Sequence, residues 1–241
     1  PQTDLAFNYG VFSARTGSIY TATLLLQWVR WAAGTHTPPE EIWHADGRVQ
    51  DPFRPRIEPA GFTSPKEAIQ SRKVAINAFA DSIRKAQVFV FTLGLTERWT
   101  NTDTGAEYPL CPGTAAGRFD PDSHRFENLG FADTFEALWQ AIQIMRQMNP
   151  NLRFIFTVSP VPLTATMSSH HVLPATVNSK STLRAVCGEL AQALPHVDYF
   201  PAYEIIYAPP FRGSYYAPNQ RDVAAQGVDV VMQQFFEATS A

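Results

Sequence analysis

Apolar positions along the chain follow two periods, and the switches between them predict the elements. Over residues 17–33, GSIYTATLLLQWVRWAA, apolar side chains recur at helical spacing, with Gly17 and Ser18 placed to start the helix and Gly34 just past its end. Residues 64–86 open with Ser-Pro-Lys-Glu. This puts Ser64 at the N-cap, Pro65 at the first helical position and Glu67 three residues after the cap, which is the pattern of a capping box. The strand expected at 88–93 is rich in Val and Phe and apolar on both faces, as in a central parallel strand covered by helices on each side. A helix at 133–148, a strand at 153–158, a helix at 178–194, a short strand at 197–200 and a closing helix at 224–238 follow. The closing helix carries Val228, Val231, Met232, Phe235 and Phe236 on one face.

Two polar stretches interrupt this pattern. Residues 35–63 are rich in Pro, His, Gly and charge, and their prolines forbid a central strand or a helix interior. Residues 101–130 form the second. Stretches of this length inside a domain are usually functional loops or disorder, and the aromatics here favour ordered insertions. Strands alternating with helices predict an α/β fold with a mostly parallel sheet, helices on both sides and right-handed crossovers. At 241 residues a single domain, 1–241, is the default.

Composition narrows the function classes. Apolar residues make up 45% and charged residues 17%, far from the signature of disorder. A net charge of -3 and the lack of any basic run argue against nucleic acid as a partner. No window is apolar enough for a membrane span and no leader opens the chain, so a soluble protein is expected. Cys111 and Cys187 are too few for a disulfide scaffold or a CxxC metal site. Reduced thiols in the cytoplasm, with no metal and no cofactor, are the corresponding expectation. Residue 1 is a proline, which predicts sequence missing in front.

Candidate chemistry lies where strands end, because ligands of open α/β sheets bind beyond the carboxyl ends of the strands. VFVFTLGLTERW (residues 88–99) runs from the strand into a polar turn holding Thr96, Glu97 and Arg98, and RFIFTVSPVP (153–162) repeats the pattern. Ser159 is followed by Pro160, so the next position has no N–H to stabilise an oxyanion, and a turn-forming serine is the better reading. His170 and His171 fall in the loop after the second strand, as a candidate imidazole or as solvated loop residues. Lys180 and Arg184, four apart on a helix, can bind an anionic group, pair with Glu97 or Glu204, or stand as exposed helix charges. Arg54 and Arg56 alternate along an extended, Pro-flanked segment. They can bind a carboxylate or phosphate, or staple the loop beside Trp43 and Phe53. Gly17 precedes a helix start, where its N–H can face an oxyanion or where glycine simply makes the turn.

The blocks DPFRPRI (51–57), FTLGLTERW (91–99), FTVSPVPLTAT (156–166), SKSTLRAV (179–186), YFPAYEI (199–205) and GVDVVMQQFF (227–236) resemble the GSCFA family of the SGNH hydrolase-like superfamily, in family order over nearly the whole chain. The resemblance implies a three-layer α/β/α, flavodoxin-like domain, truncated at its N-terminus and lacking its first strand. It implies a serine nucleophile in a first motif, an oxyanion hole built with a Gly of the second block and an Asn of the third, and a base from a final Asp-x-x-His. No GSCFA string occurs, so the nucleophile is expected upstream and this chain alone is expected to be inactive. Carried onto this sequence, Gly17 takes the second-block place, and Gly94, Thr96 and Glu97 the third-block places, with Thr where an amide is expected. A Thr hydroxyl still donates one hydrogen bond. Capping of the turn is an equally good reading of Thr96 and Glu97. Asn219 and Asp222 stand where Asp-x-x-His is expected, so the resemblance turns to His171 for the imidazole. The implied activity is ester hydrolysis or O-acyl transfer on an acylated carbohydrate, with Arg54, Arg56, Lys180 and Arg184 as substrate-binding candidates. A non-catalytic domain binding a glycan or a protein is the alternative.

Overall fold

The first described helix, α1 (Ala22–Ala32), starts five residues later than the periodicity of 17–33 predicts. Thr21 is the reason: its hydroxyl accepts the Leu24 N–H at 3.0 Å, satisfying a donor that Gly17 and Ser18 have no means to reach from outside the first turn. The structure is a computed structural model and describes residues 14–239. Helix α2 (Pro65–Lys85) begins where expected, with Ser64 accepting from the Glu67 N–H. The return arm of the box lands one residue early, since Glu67 accepts from the N–H of Thr63 at 2.7 Å rather than from Ser64.

Strand β3 (Val88–Leu93) pairs in parallel and in register with β7 (Arg153–Val158), and β7 pairs with β8 (Val197–Tyr199) in the order β3-β7-β8. Among the described residues β3 is therefore an edge and β7 the centre, and the exposed Val88 and Val90 correct the expectation of two covered faces. The insertions are also more regular than their composition suggests. Residues 35–63 hold the hairpin β1 (Trp43–Ala45) and β2 (Arg48–Gln50). Glu97 and Arg98 belong to a strand, β4 (Glu97–Asn101), flanked by β5 (Glu107–Tyr108) and β6 (His124–Asn128) in an antiparallel sheet. Short antiparallel strands tolerate polar side chains on an exposed face, which is why this stretch lacks an apolar signature. The fold is mixed α/β with a three-stranded parallel sheet, as the alternation of strand and helix predicts, and the two insertions add the antiparallel pieces.

Helix α3 spans Phe131–Met148 and α4 spans Val172–Ala193, six residues longer at its start than predicted because His171 caps it there. After α5 (Ala202–Tyr207), α6 (Ala225–Thr239) buries only Gly227, while Val228, Met232 and Phe236 of the expected apolar face are exposed. Half-buried Phe235 meets the Phe200 ring edge-on at 5.1 Å.

Contacts group the chain into two compact units. The first holds residues 14–87 and 97–152. Here α1 packs on α2 and α3, and an aromatic series runs from Trp28 through Trp31 and Phe53 to Tyr108 and Trp43. The second holds residues 88–96 and 153–239, where α4 covers β7 and β8 with Leu183, Val186, Cys187 and Leu190, all fully buried.

Candidate functional site

In the second unit, register brings Leu93 and Val158 level, so the turn at 94–96 and the segment from Ser159 leave the sheet at the same edge, tied by Ser159 N–H to Leu93 O at 2.9 Å. Two consecutive residues of α4 hold that turn. The Lys180 ammonium donates to the Gly94 carbonyl at 2.6 Å, and the Ser179 hydroxyl oxygen accepts the Thr96 N–H at 3.0 Å. Ser179, Lys180 and Thr96 are each at most 1% exposed. Burial pulls the Lys180 ammonium down to about 8, with no carboxylate to offset the lost hydration. Lys180 is thus neither an exposed helix charge nor Glu97's partner. The Thr96 amide is thereby engaged by Ser179.

His171 is exposed at the N-cap of α4, where Nδ1 accepts the Leu173 N–H at 3.2 Å. An accepting Nδ1 fixes the hydrogen of a neutral ring on Nε2. Arg184 sits 4.1 Å above the Tyr199 ring and pairs with Glu204 at 2.5 Å, the partner its spacing allowed. Ser159 accepts from Val161 N–H within its own turn, as read from Pro160. Asn219 and Asp222 are likewise consumed locally: the Asn219 side chain accepts the backbone N–H groups of Arg221 and Asp222 and donates to the Asp222 carboxylate.

In the first unit Gly17 adopts φ +68, a left-handed conformation that disfavours any side chain. It lines a cavity of about 190 Å³ together with Ser18, Tyr20, Arg54, Arg56 and Leu110. The cavity brings Gly17 and both candidate arginines into one place, and burial separates the arginines' roles. Arg54 is 1% exposed and donates from Nε to Asp51 at 2.8 Å, from Nη1 to the Arg15 carbonyl at 3.2 Å and from Nη2 to the Ser71 hydroxyl oxygen at 3.1 Å. Asp51 also receives Arg72 at 2.9 Å, whose guanidinium lies 4.6 Å over the Phe53 ring and donates to the carbonyls of Pro39 and Glu41. Arg54 is the staple of the loop. Burial lowers its pKa, Asp51 opposing and Arg72 and Arg15 adding to the effect, but a guanidinium remains charged. Arg56 is exposed, and no hydrogen bond or ion pair ties its head among the described residues.

Glu97 opens β4, half-buried and opposite Asn128. A second acid of this unit, Glu107, is strongly perturbed. Burial raises its carboxyl to about 7, against the pull of the Thr21 and Thr23 hydroxyls and of Arg98. It ties β5 to α1, accepting from Thr21 while its backbone exchanges two hydrogen bonds with the Gln27 side chain.

Sequence reasoning passed over Ser179, Asp51, Arg72 and Glu107. For Arg72 a signal existed, since it interrupts the apolar stripe Ala68, Ala75, Ile76, Phe79 of α2. Ser179 carried none beyond its place in the SKSTLRAV block.

Among the described residues no helix is long and apolar enough to cross a membrane, and no group of His, Cys, Asp and Glu could hold a metal ion. Neither the curated proteins nor the solved structures contain a match to this chain. A family model does match, over residues 3–235, and the blocks that meet at the end of β3, FTLGLTERW and SKSTLRAV, lie within it. On that match the chain belongs to the GSCFA family.

Proposed function

We propose that this chain is an SGNH-like serine esterase or O-acyltransferase domain acting on an acylated carbohydrate, with its nucleophilic serine supplied from outside residues 1–241. The observation that carries this reading is the convergence of two family blocks at the C-terminal end of β3, where Lys180 and Ser179 fix the turn that bears Gly94 and Thr96. A turn fixed by two buried groups of one helix suits an oxyanion site, because preorganised dipoles need no reorientation as charge develops. Gly94 and Thr96 of the second unit are the oxyanion candidates that this turn offers, with Glu97 next in sequence.

His171 is the imidazole of the reading. Serving as a base through Nε2 requires the hydrogen to move to Nδ1, which forfeits the cap on Leu173 at a cost of about 1 kcal/mol. That is small beside the hundredfold or greater rate gain of a positioned base.

The test compares residues 1–241 with the natural protein, including any sequence ahead of residue 1, on p-nitrophenyl acetate and on acetylated oligosaccharides. The natural protein is expected to turn over ester, residues 1–241 to be inactive, and Thr96→Val to lower kcat with little change in KM. Ester hydrolysis by residues 1–241 rejects the external serine.

A binding domain is the second reading, favoured by an open cleft of about 730 Å³ on the first unit. Trp43, Arg118, Phe119, Asp120 and His124 line it, with Phe119 exposed at 38%. Glycan binding by a natural protein that turns over no ester would select this reading.

A further inference from the structure

Two buried guanidiniums, Arg54 and Arg72, share one carboxylate, Asp51, whose side chain is fully inaccessible. Arg15 is neutralised by its own partner, Glu58. Among the described residues this cluster therefore holds one positive charge more than Asp51 and Glu58 balance, and Asp51 is the acid that raises Arg54. Buried charge of this kind calls for an opposite charge nearby. Arg54 also lines the Gly17 cavity, and Arg56, two residues on, brings to the same cavity a guanidinium with no partner among the described residues. The rest of the lining is mostly hydrocarbon, from Pro55, Ile57, Pro109 and Leu110, with Ser18 and Tyr20 beside them.

We propose that this cavity binds a small carboxylate carried on a short apolar stem, with the carboxylate on Arg56 and the stem against Pro109 and Leu110. A cavity of about 190 Å³ corresponds to about six water volumes, room for a ligand of propionate to succinate size. The Arg56 guanidinium, without a partner among the described residues, presents the planar fork that a carboxylate accepts bidentately. A phosphate dianion would need further donors, and the walls offer mostly hydrocarbon. The binding itself does not depend on turnover.

Calorimetric titration of residues 1–241 with butyrate, butyramide and inorganic phosphate at fixed ionic strength tests the site without any catalytic step. Butyrate is expected to bind, with butyramide and phosphate each at least tenfold weaker. Arg56→Gln should weaken butyrate at least tenfold without changing circular dichroism, and Arg56→Lys should restore part of the loss. Equal affinity for butyrate and butyramide, tighter binding of phosphate, no binding of butyrate, or an Arg56→Gln protein that matches wild type would each overturn the proposal. Failure here leaves ester turnover by the natural protein untouched, and loss of turnover leaves carboxylate binding untouched, so the two readings fail separately.

Discussion

Each unit buries cations, but they are solved differently. In the first unit Arg54 and Arg72 converge on Asp51, and their remaining N–H groups find Ser71 and the carbonyls of Arg15, Pro39 and Glu41. In the second, Lys180 reaches a single carbonyl, Gly94, and no acid. A guanidinium cannot shed its proton, so burying it demands a carboxylate and a full set of acceptors; an ammonium can, and burial shifts its pKa instead. The arginine cluster is thus a fixed staple for an insertion rich in proline, and the lysine is a titratable clamp on a turn.

The largest effect should come from breaking the staple. Asp51→Ala leaves two buried guanidiniums without their carboxylate and is expected to cost about 3–5 kcal/mol in urea denaturation. A loss below 1 kcal/mol would mean that the cluster is held by its carbonyl and hydroxyl acceptors alone, erasing the contrast.

The clamp should show itself through pH. The Lys180 pKa is lowered in the folded chain to about 8 from 10.5, so burial of the charge costs stability fully below pH 8. As pH rises from 8 to 10.5 the folded chain sheds the proton first, and stability recovers by about 3 kcal/mol. Lys180→Met should remove this component, read as the difference between wild-type and variant denaturation free energies across that window. A difference that stays flat would show that the ammonium is solvated or paired.

Ser179→Ala should have the smallest effect. It leaves the buried Thr96 N–H without its acceptor, at a cost of about 1–3 kcal/mol that is independent of pH between 7 and 10. A pH-dependent loss would couple Ser179 to Lys180 and make the two contacts one device.

Much of the framework could be read in the chain. Strand β7 matches its predicted bounds, and β3 and α2 need no revision of position, because an apolar run and a Ser-Pro cap are local signals. The beginnings of α1 and α4 were misplaced because Thr21 and His171 act as caps through bonds that depend on where the backbone turns. Strands β4 to β6 were missed because pairing, not composition, makes them strands. Among the candidate residues, Arg184 took a partner its spacing allowed, while Arg54, Arg56 and Lys180 looked alike as charged residues and proved to be a staple, an exposed cation with no partner among the described residues, and a buried clamp.

By itself the sequence determined the family, the alternation of helix and strand and the blocks in which polar residues gather, since all three are written in local order and periodicity. Tertiary structure decided which unit each candidate belongs to, which cations are buried and which atoms remain free to act. Burial and hydrogen-bond partners are set by residues distant in the chain: Asp51 and Arg72 lie 21 positions apart, and Gly94 and Lys180 lie 86.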